Sequence, residues 1–100
     1  MTTLPGNLTP QARQDLRKQL RRSRETFGPV AALKLSSKLL ARFRLIEAGK
    51  AIGHVRHDLP FAEPTLCLTV SPLLVIYNPH TCLVLRVVDG RRDLTALTDE

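Results

Sequence analysis

Three short apolar segments follow one another in the second half of the chain, at residues 65–70, 73–77 and 82–88. They are separated by the turn sequences Ser71-Pro72 and Asn78-Pro79-His80-Thr81. Loops this short join antiparallel neighbours, whereas parallel strands need a crossover of a dozen or more residues. The chain is therefore restricted to folds that contain a three-stranded antiparallel meander.

Side-chain alternation assigns faces to these strands. In the first strand, Leu66, Leu68 and Val70 share one face. The second strand is apolar throughout, which is typical of a central strand covered on both faces. In the third strand, alternation places on one face Leu83, Leu85 and Val87, and on the other Cys82, Val84, Arg86 and Val88.

Two helices are predicted ahead of the strands. Thr9-Pro10 is a typical helix start, because Thr caps free N–H groups and Pro is tolerated in the first turn. Gly28-Pro29 ends this helix and starts a second one, which we expect over residues 29–48 and closed by Gly49. The short break makes the pair a helical hairpin.

The apolar faces of the two helices indicate how they pack. On the first helix, one narrow arc is formed by Ala12, Leu16, Gln19, Leu20, Ser23 and Phe27. On the second, the centre line is Ala32, Leu35, Leu39, Phe43 and Ile46, and Leu33 and Leu40 widen it. We therefore predict an α+β fold over residues 1–100, a single domain with an N-terminal αα hairpin packed on a three- to four-stranded antiparallel sheet.

Charge is distributed unevenly along the chain. Residues 1–50 carry 11 Lys/Arg against 3 Asp/Glu, and residues 51–100 carry 4 against 6. The basic side chains of the first helix are Arg13, Arg17, Lys18, Arg21, Arg22 and Arg24. A basic surface of this kind can bind an acidic protein partner or a nucleic acid, or it can simply be a solvated helix face. Charge alone does not choose among these three alternatives.

One helical hairpin covers only one face of a sheet, yet the last two strands are apolar on both. The uncovered side would form an exposed apolar patch of the kind that marks protein contacts. This patch would contain Val75 or its neighbours, together with Cys82, Val84 and Val88. Residues 94–97 can cover part of it. For the rest we expect an external helix or an added strand.

Other chemistry finds little support. Cys67 and Cys82 do not form a C-x-x-C pair, and we expect them to be small buried hydrophobic residues. His54 and His57 lack a third ligand at metal-binding spacing, so no metal or cofactor is expected. Nucleotide-binding, hydrolase and zinc-protease motifs do not occur. No apolar stretch is long enough to span a membrane and no signal peptide is visible, so we expect a cytoplasmic protein.

Two stretches carry a family resemblance. The opening L-T-P-x-A-x-x-D-L at residues 8–16 and the closing R-V-x-x-G-R-R-D-L at residues 86–94 flank the paired helices and a strand ending in Tyr77. This pattern resembles the ParE/RelE toxins of bacterial type II toxin–antitoxin modules and is closest to the ParE branch. Members usually begin with a strand, but Thr2 to Asn7 is a poor strand sequence, so a first strand is expected to be short or missing.

The two branches of this superfamily imply different activities. RelE-like members are ribosome-dependent mRNA endonucleases that need several basic groups on the sheet and often a Tyr or His near the C-terminus. Here residues 65–70 contain no basic side chain, and the tail after Asp93 contains neither Tyr nor His. The resemblance therefore implies a ParE-like inhibitor of DNA gyrase that is not an enzyme, and a RelE-like endonuclease is the alternative.

The resemblance also implies partners and contact residues. It implies that the gyrase target is contacted by Arg86, Arg91, Arg92 and Asp93. A ParD-like antitoxin, which binds through an acidic C-terminal segment, is expected to contact Arg13, Arg17, Arg21, Arg24, Leu33, Leu40, Val84 and Val88. Nucleic acid is then reached only indirectly, through the antitoxin complex. A directly nucleic-acid-binding module remains a rival, although four aromatic residues offer little base stacking.

Overall fold

A computed structural model describes residues 5–99, and it contains two helices followed by three strands. The elements are α1 (Pro10–Phe27), α2 (Pro29–Glu47), β1 (Leu66–Val70), β2 (Leu73–Asn78) and β3 (Leu83–Asp89), and a short 3-10 turn (Leu97–Asp99) follows them. Both helices pack on the antiparallel sheet, which has the order β1-β2-β3. The predicted α+β fold is confirmed.

The ends of the helices follow from local chemistry. The Thr9 side chain accepts a hydrogen bond from the Ala12 amide at 3.1 Å, and Pro10 occupies the first turn of α1. Gly28 separates the helices with φ +93°, a conformation that glycine adopts without a steric penalty. After α2, Gly49 has φ +70° and closes the helix as predicted.

The predicted faces are wrong for Cys82 and Val84, which lie on the helix side of the sheet and not on the face of Val88, because β3 contains a bulge. Ile76 pairs with Arg86, but the adjacent Tyr77 pairs with Val84, so Leu85 is an extra residue in β3. The extra residue reverses the alternation beyond it. Val84 and Val87 therefore both belong to the core beneath the helices, whereas Val88 lies on the other face of the sheet.

The core between hairpin and sheet is built as the sequence predicted for most positions. Leu39, Phe43 and Ile46 of α2 pack with residues of all three strands. Phe27 is an exception: it was predicted to face the core but is 76% exposed. It ends α1 beside the Gly28 turn and lines a surface cavity with Leu35 and Pro72.

The second face of the sheet is closed by the chain itself, which corrects the expected apolar patch. A separate core cluster on this face contains Cys67, Leu74, Ile76 and Val88 with Leu94 and Leu97 of the C-terminal tail, and Leu59 and Phe61 of the preceding loop pack against it. The tail covers part of this face, as predicted, and the loop takes the place of the external helix or strand that we expected for the rest. We call this cluster the second-face core.

The segment before α1 contributes a single bridge to the sheet. Leu8 lies parallel to Val84, with a hydrogen bond from the Val84 amide to the Asn7 carbonyl at 2.7 Å and one from the Thr9 amide to the Val84 carbonyl at 3.0 Å. No further strand is formed within residues 5–9, and Thr2 to Leu4 lie outside the described residues. No helix within residues 5–99 is both long and apolar enough to cross a membrane.

Candidate functional site

An open groove runs between α1 and α2 near their shared turn. Its volume is about 480 Å³, and we call it the hairpin groove. Its lining consists of Arg17, Leu20, Arg21, Arg24, Pro29, Ala32, Leu33 and Ser36. Three arginines thus border an apolar floor, and no acidic side chain is part of the lining.

The arginines of the hairpin groove share one side of α1. Arg17, Arg21 and Arg24 stand at i, i+4 and i+7 on α1, so they project from one side of the helix over about 10 Å. Leu33 is 69% exposed on the opposite wall. An amphipathic segment with acidic side chains on one edge and apolar side chains beneath matches this arrangement in charge and in burial.

Arg86 lies at a second site, where α1 meets β3 and the tail. Its Nε donates to Asp15 Oδ2 at 2.7 Å, its Nη2 to Asp15 Oδ1 at 3.1 Å, and its Nη1 to the Leu97 carbonyl at 2.8 Å. Asp15 also accepts the Val87 amide at 3.0 Å. Both side chains are buried, so this is an internal ion pair that joins three parts of the chain.

A polar cavity of about 310 Å³ opens beside this ion pair. Lys18 and Arg92 supply basic groups to its lining, and Gln11, Gln14 and Gln19 supply amides. The lining contains neither His nor Tyr. Within the described chain, Tyr77 is buried in the core beneath the helices, and burial raises the pKa of its hydroxyl.

The segment after β3 is held by local hydrogen bonds. Asp89 accepts from the Arg91 backbone amide and side chain, with a shortest distance of 2.7 Å, and these hydrogen bonds lower the pKa of Asp89 to about 2. Asp93 accepts from the Thr95 amide and hydroxyl, which lowers its pKa as well. Arg91, Arg92 and Asp93 are all exposed, so they form an accessible surface at this end of the sheet.

Comparison with known proteins identifies the family. The family model described as the ParE toxin of the type II toxin–antitoxin system, parDE, matches residues 7–94. The chain belongs to the ParE toxin family. It is therefore the toxin type of a type II module, whose other component is an antitoxin. No curated protein and no solved structure gives a significant match.

The structure brings together only part of the residue set that the resemblance implied for the antitoxin. Arg17, Arg21, Arg24 and Leu33 line the hairpin groove of this ParE toxin. Arg13 is exposed on α1 but is not part of the lining, and Leu40 is half-buried against the core. Val84 and Val88 are buried on opposite faces of the sheet and offer no surface to a partner in this conformation.

The residue set implied for the target divides in the same way. Arg91, Arg92 and Asp93 are accessible, whereas Arg86 is only 5% exposed and is bound to Asp15. Sequence reasoning missed Asp15, although one signal was present: it is an acid in a strongly basic helix and lies directly beside the core position Leu16. It also missed Leu20, Pro29, Ala32 and Ser36 as parts of the groove.

The His and Cys residues weighed as metal ligands do not form a group of three within residues 5–99. His54 and His57 are exposed, and the backbone of His54 pairs with Cys67. Cys67 and Cys82 are free thiols. Across residues 5–99, no group of three or more His, Cys, Asp or Glu side chains is arranged to hold a metal ion.

Proposed function

We propose that this ParE toxin acts by binding DNA gyrase and inhibiting it, and that it does not cleave RNA. The observation that carries the proposal is the state of Arg86, whose Nε and both Nη atoms donate to Asp15 or to Leu97. A guanidinium held this way is neutralised within the fold. It is poorly placed to stabilise the charge that develops on a scissile phosphate.

Metal-free phosphodiester cleavage needs more than one cation. A base must activate the 2′-hydroxyl, and an acid must protonate the leaving oxygen. The cavity beside Arg86 is lined by Lys18, Arg92, three glutamine amides and Asp15. The Asp15 carboxylate already accepts from Arg86 and from the Val87 amide, and the basic and amide side chains are not suited to shuttle a proton near neutral pH. This chemistry supports a toxin that works by contact, through the exposed surface around Arg91, Arg92 and Asp93.

The hairpin groove supports the second half of the proposal, a ParD-like antitoxin. An acidic segment that folds into a helix would place its carboxylates beside Arg17, Arg21 and Arg24 and its apolar side chains against Leu20 and Leu33. Opposite charges accelerate the encounter, and burial of apolar surface slows dissociation. In this scheme it is the antitoxin that contacts DNA. A toxin that acts on gyrase must also be cytoplasmic.

The target is tested with two assays on the purified toxin. We expect inhibition of gyrase-catalysed supercoiling, and we expect intact mRNA ends after incubation with translating ribosomes. Charge reversal at Arg91 and Arg92 should weaken gyrase inhibition, whereas reversal at Lys34 and Lys38 on α2 should not. Site-specific mRNA cleavage by the ribosome-bound toxin would reject the proposal in favour of an endonuclease.

The antitoxin site is tested by a matched pair of double variants. Arg17→Glu with Arg21→Glu should weaken antitoxin binding at least about tenfold, because two rim charges become repulsive. Lys34→Glu with Lys38→Glu changes the net charge equally at residues outside the groove lining and should have little effect. Equal losses for both pairs would indicate general electrostatic attraction and would contradict a defined groove.

A further inference from the structure

A small cavity lies between the last turns of α1 and the turn that joins β1 to β2, and we call it the tip cavity. Its volume is about 220 Å³. Leu73 of the core beneath the helices and Leu35, which packs against that core, supply its apolar floor, and the exposed side chains of Phe27 and Pro72 border it. Pockets for drug-sized ligands begin at roughly 300 Å³, so this cavity fits a single side chain of a partner better than a free small molecule.

Phe27 is the feature of this cavity that the fold does not require. The chain contains four aromatic residues, and this one is 76% exposed. A single exposed apolar side chain needs no explanation by itself, but Phe27 stands over an apolar floor together with Arg22 and Arg91. Aromatic and arginine side chains supply much of the binding energy in protein interfaces. Their combination around a recess is typical of a protein contact site.

The charges of the tip cavity are unequal. Its lining contains two arginines and one acid, Asp89. Arg91 donates to Asp89 at 2.7 Å, and hydrogen bonds from Arg91, followed by the charge of Arg22, lower the pKa of Asp89. Arg22 itself is exposed and forms no ion pair within residues 5–99. The cavity therefore has a positive charge left for a partner's carboxylate.

The tip cavity and the hairpin groove lie on different sides of α1. Gln19, Ser23 and Thr26 line the tip cavity, whereas the three arginines of the hairpin groove come from the side that faces α2. No residue lines both. An antitoxin helix in the hairpin groove thus has no contact residue in common with the tip cavity.

We propose that the tip cavity is a contact site for DNA gyrase and receives an apolar side chain of gyrase that lies beside a carboxylate. This inference rests on the proposed function, because it assigns a further contact to the same target. The apolar side chain would pack between Phe27 and Pro72, and the carboxylate would accept hydrogen bonds from Arg22. Continuity supports this partner, because Arg91 lines the cavity and is also part of the exposed surface assigned to the target.

Charge and shape select this occupant over two others. Two toxin copies paired through their tip cavities would bring Arg22 and Arg91 of each into one interface, and like charges in an interface are repulsive. A nucleic acid would be attracted by the same arginines, but its phosphates make no use of an apolar recess. One aromatic side chain over such a recess also suits a protein side chain better than a run of stacked bases.

Separate variants test the apolar and the charged half of the site. Phe27→Ala and Arg22→Gln should each raise the toxin concentration for half-maximal inhibition of gyrase-catalysed supercoiling about tenfold. Val30→Ala, at a similarly exposed apolar residue outside both cavities, and Lys38→Gln on α2 should inhibit like the parent chain. Parental inhibition by Phe27→Ala would overturn the inference, and if Arg22→Gln alone loses inhibition, the contact is one of charge only, as with a DNA backbone.

Antitoxin binding by the same proteins shows that they are folded and to which partner the cavity belongs. We expect Phe27→Ala and Arg22→Gln to bind the antitoxin of the same module with parental affinity, which would separate target binding from neutralisation. If Phe27→Ala weakens antitoxin binding as much as it weakens gyrase inhibition, the cavity is not specific to the target and the inference is wrong.

Photo-crosslinking tests the contact directly. With benzoylphenylalanine in place of Phe27, irradiation should crosslink the toxin to gyrase. The same group in place of Leu33, in the hairpin groove, should crosslink to the antitoxin instead. Crosslinks from position 27 that join two toxin chains would identify a second copy as the occupant and overturn the inference.

The outcome for the proposed function is read separately. If the parent chain inhibits gyrase and the Arg91/Arg92 reversal weakens inhibition while Phe27→Ala does not, the target contacts only the segment after β3, and this inference fails while the proposed function stands. If the parent chain does not inhibit gyrase, the proposed function is wrong and this inference fails with it.

Discussion

At Gly53 the chain passes close to the Tyr77 ring. A Cβ atom at this position would overlap the Tyr77 hydroxyl and would lie 2.9 Å from Leu66 Cβ. The Tyr77 hydroxyl is buried and lies against the Gly53 backbone. The absence of a side chain at Gly53 is therefore what allows the loop to pair with β1 at His54.

Gly53→Ala should lower the free energy of unfolding by about 2 kcal/mol, because the new methyl group overpacks a closed site. Gly6→Ala is the matched control, since nothing lies within 4 Å of a Cβ built there. Tyr77→Phe should recover part of the loss in the double variant, because it removes the atom nearest to the new methyl group. Denaturant unfolding measures all four proteins, and strictly additive effects would contradict the overlap.

Asp89 gives a second prediction at this scale, on the dependence of stability on pH. Hydrogen bonds from Arg91 lower its pKa from 3.8 to about 2 in the folded chain. The unfolded chain therefore binds a proton first as the pH falls, so the stabilisation is present above about pH 4 and is lost toward pH 2. Asp89→Asn should reduce this loss of folding stability at low pH by at most about 1 kcal/mol, because Arg91 is exposed. Equal stability profiles of the two proteins between pH 2 and 5 would contradict the prediction.

Single residues with local roles were predictable from the sequence, and those with distant partners were not. The Thr9 cap and the Gly28 and Gly49 terminations depend on neighbours within a few positions, so the sequence carries the signal. Asp15 and Arg86 are 71 residues apart, and neither side chain by itself indicates the other. Arg86 was consequently assigned to a target surface from which burial removes it.

At the scale of elements, the sequence predicted the helices and strands to within a residue or two but misjudged the third strand. Period-two alternation assumes an unbroken ladder, and the bulge at Leu85 violates that assumption. Because Leu85 is the extra residue, Val84 lies beneath the helices, and Arg86 lies beside α1. Nothing in the alternating pattern of residues 82–88 distinguishes a regular strand from a bulged one.

The Asp15–Arg86 pair connects α1 to β3 and to the tail, so its loss should destabilise more than one element. Asp15→Asn should lower the free energy of unfolding by about 3 kcal/mol, because it leaves a buried guanidinium without its counter-charge. Asp15→Leu with Arg86→Met should be less destabilising than Asp15→Asn, since no buried charge remains. Asp93→Asn, an exposed change, serves as the control in thermal or denaturant unfolding. A loss for Asp15→Asn as small as the control would show that the pair does not lock these elements.

At the scale of the whole molecule, the sequence predicted two layers and a partial cover of the second face by residues 94–97, but it missed the loop that completes this cover. The helices are recognisable because their apolar residues repeat with a helical period. The cover consists of Leu59 and Phe61 in a loop and of Leu94 and Leu97 in the tail, pairs too short to show any period. The missing signal made the sheet look open, although its apolar residues are buried by the chain.

This cover should open independently of the helical core, and Cys67 can report it. Cys67 is fully buried in the second-face core, and burial raises its pKa to about 11, so its thiol should resist alkylation at pH 8. In a Cys82→Ser background, Leu97→Ala should accelerate Cys67 alkylation, because it removes a tail anchor from the cluster that contains Cys67. Leu39→Ala leaves a comparable cavity in the helix-side core and should expose Cys67 only through global unfolding. The two variants are compared at conditions where their global free energies of unfolding are equal. Under these conditions Cys67 should be alkylated faster in Leu97→Ala than in Leu39→Ala. Equal labelling rates would mean that tail and core unfold as one unit.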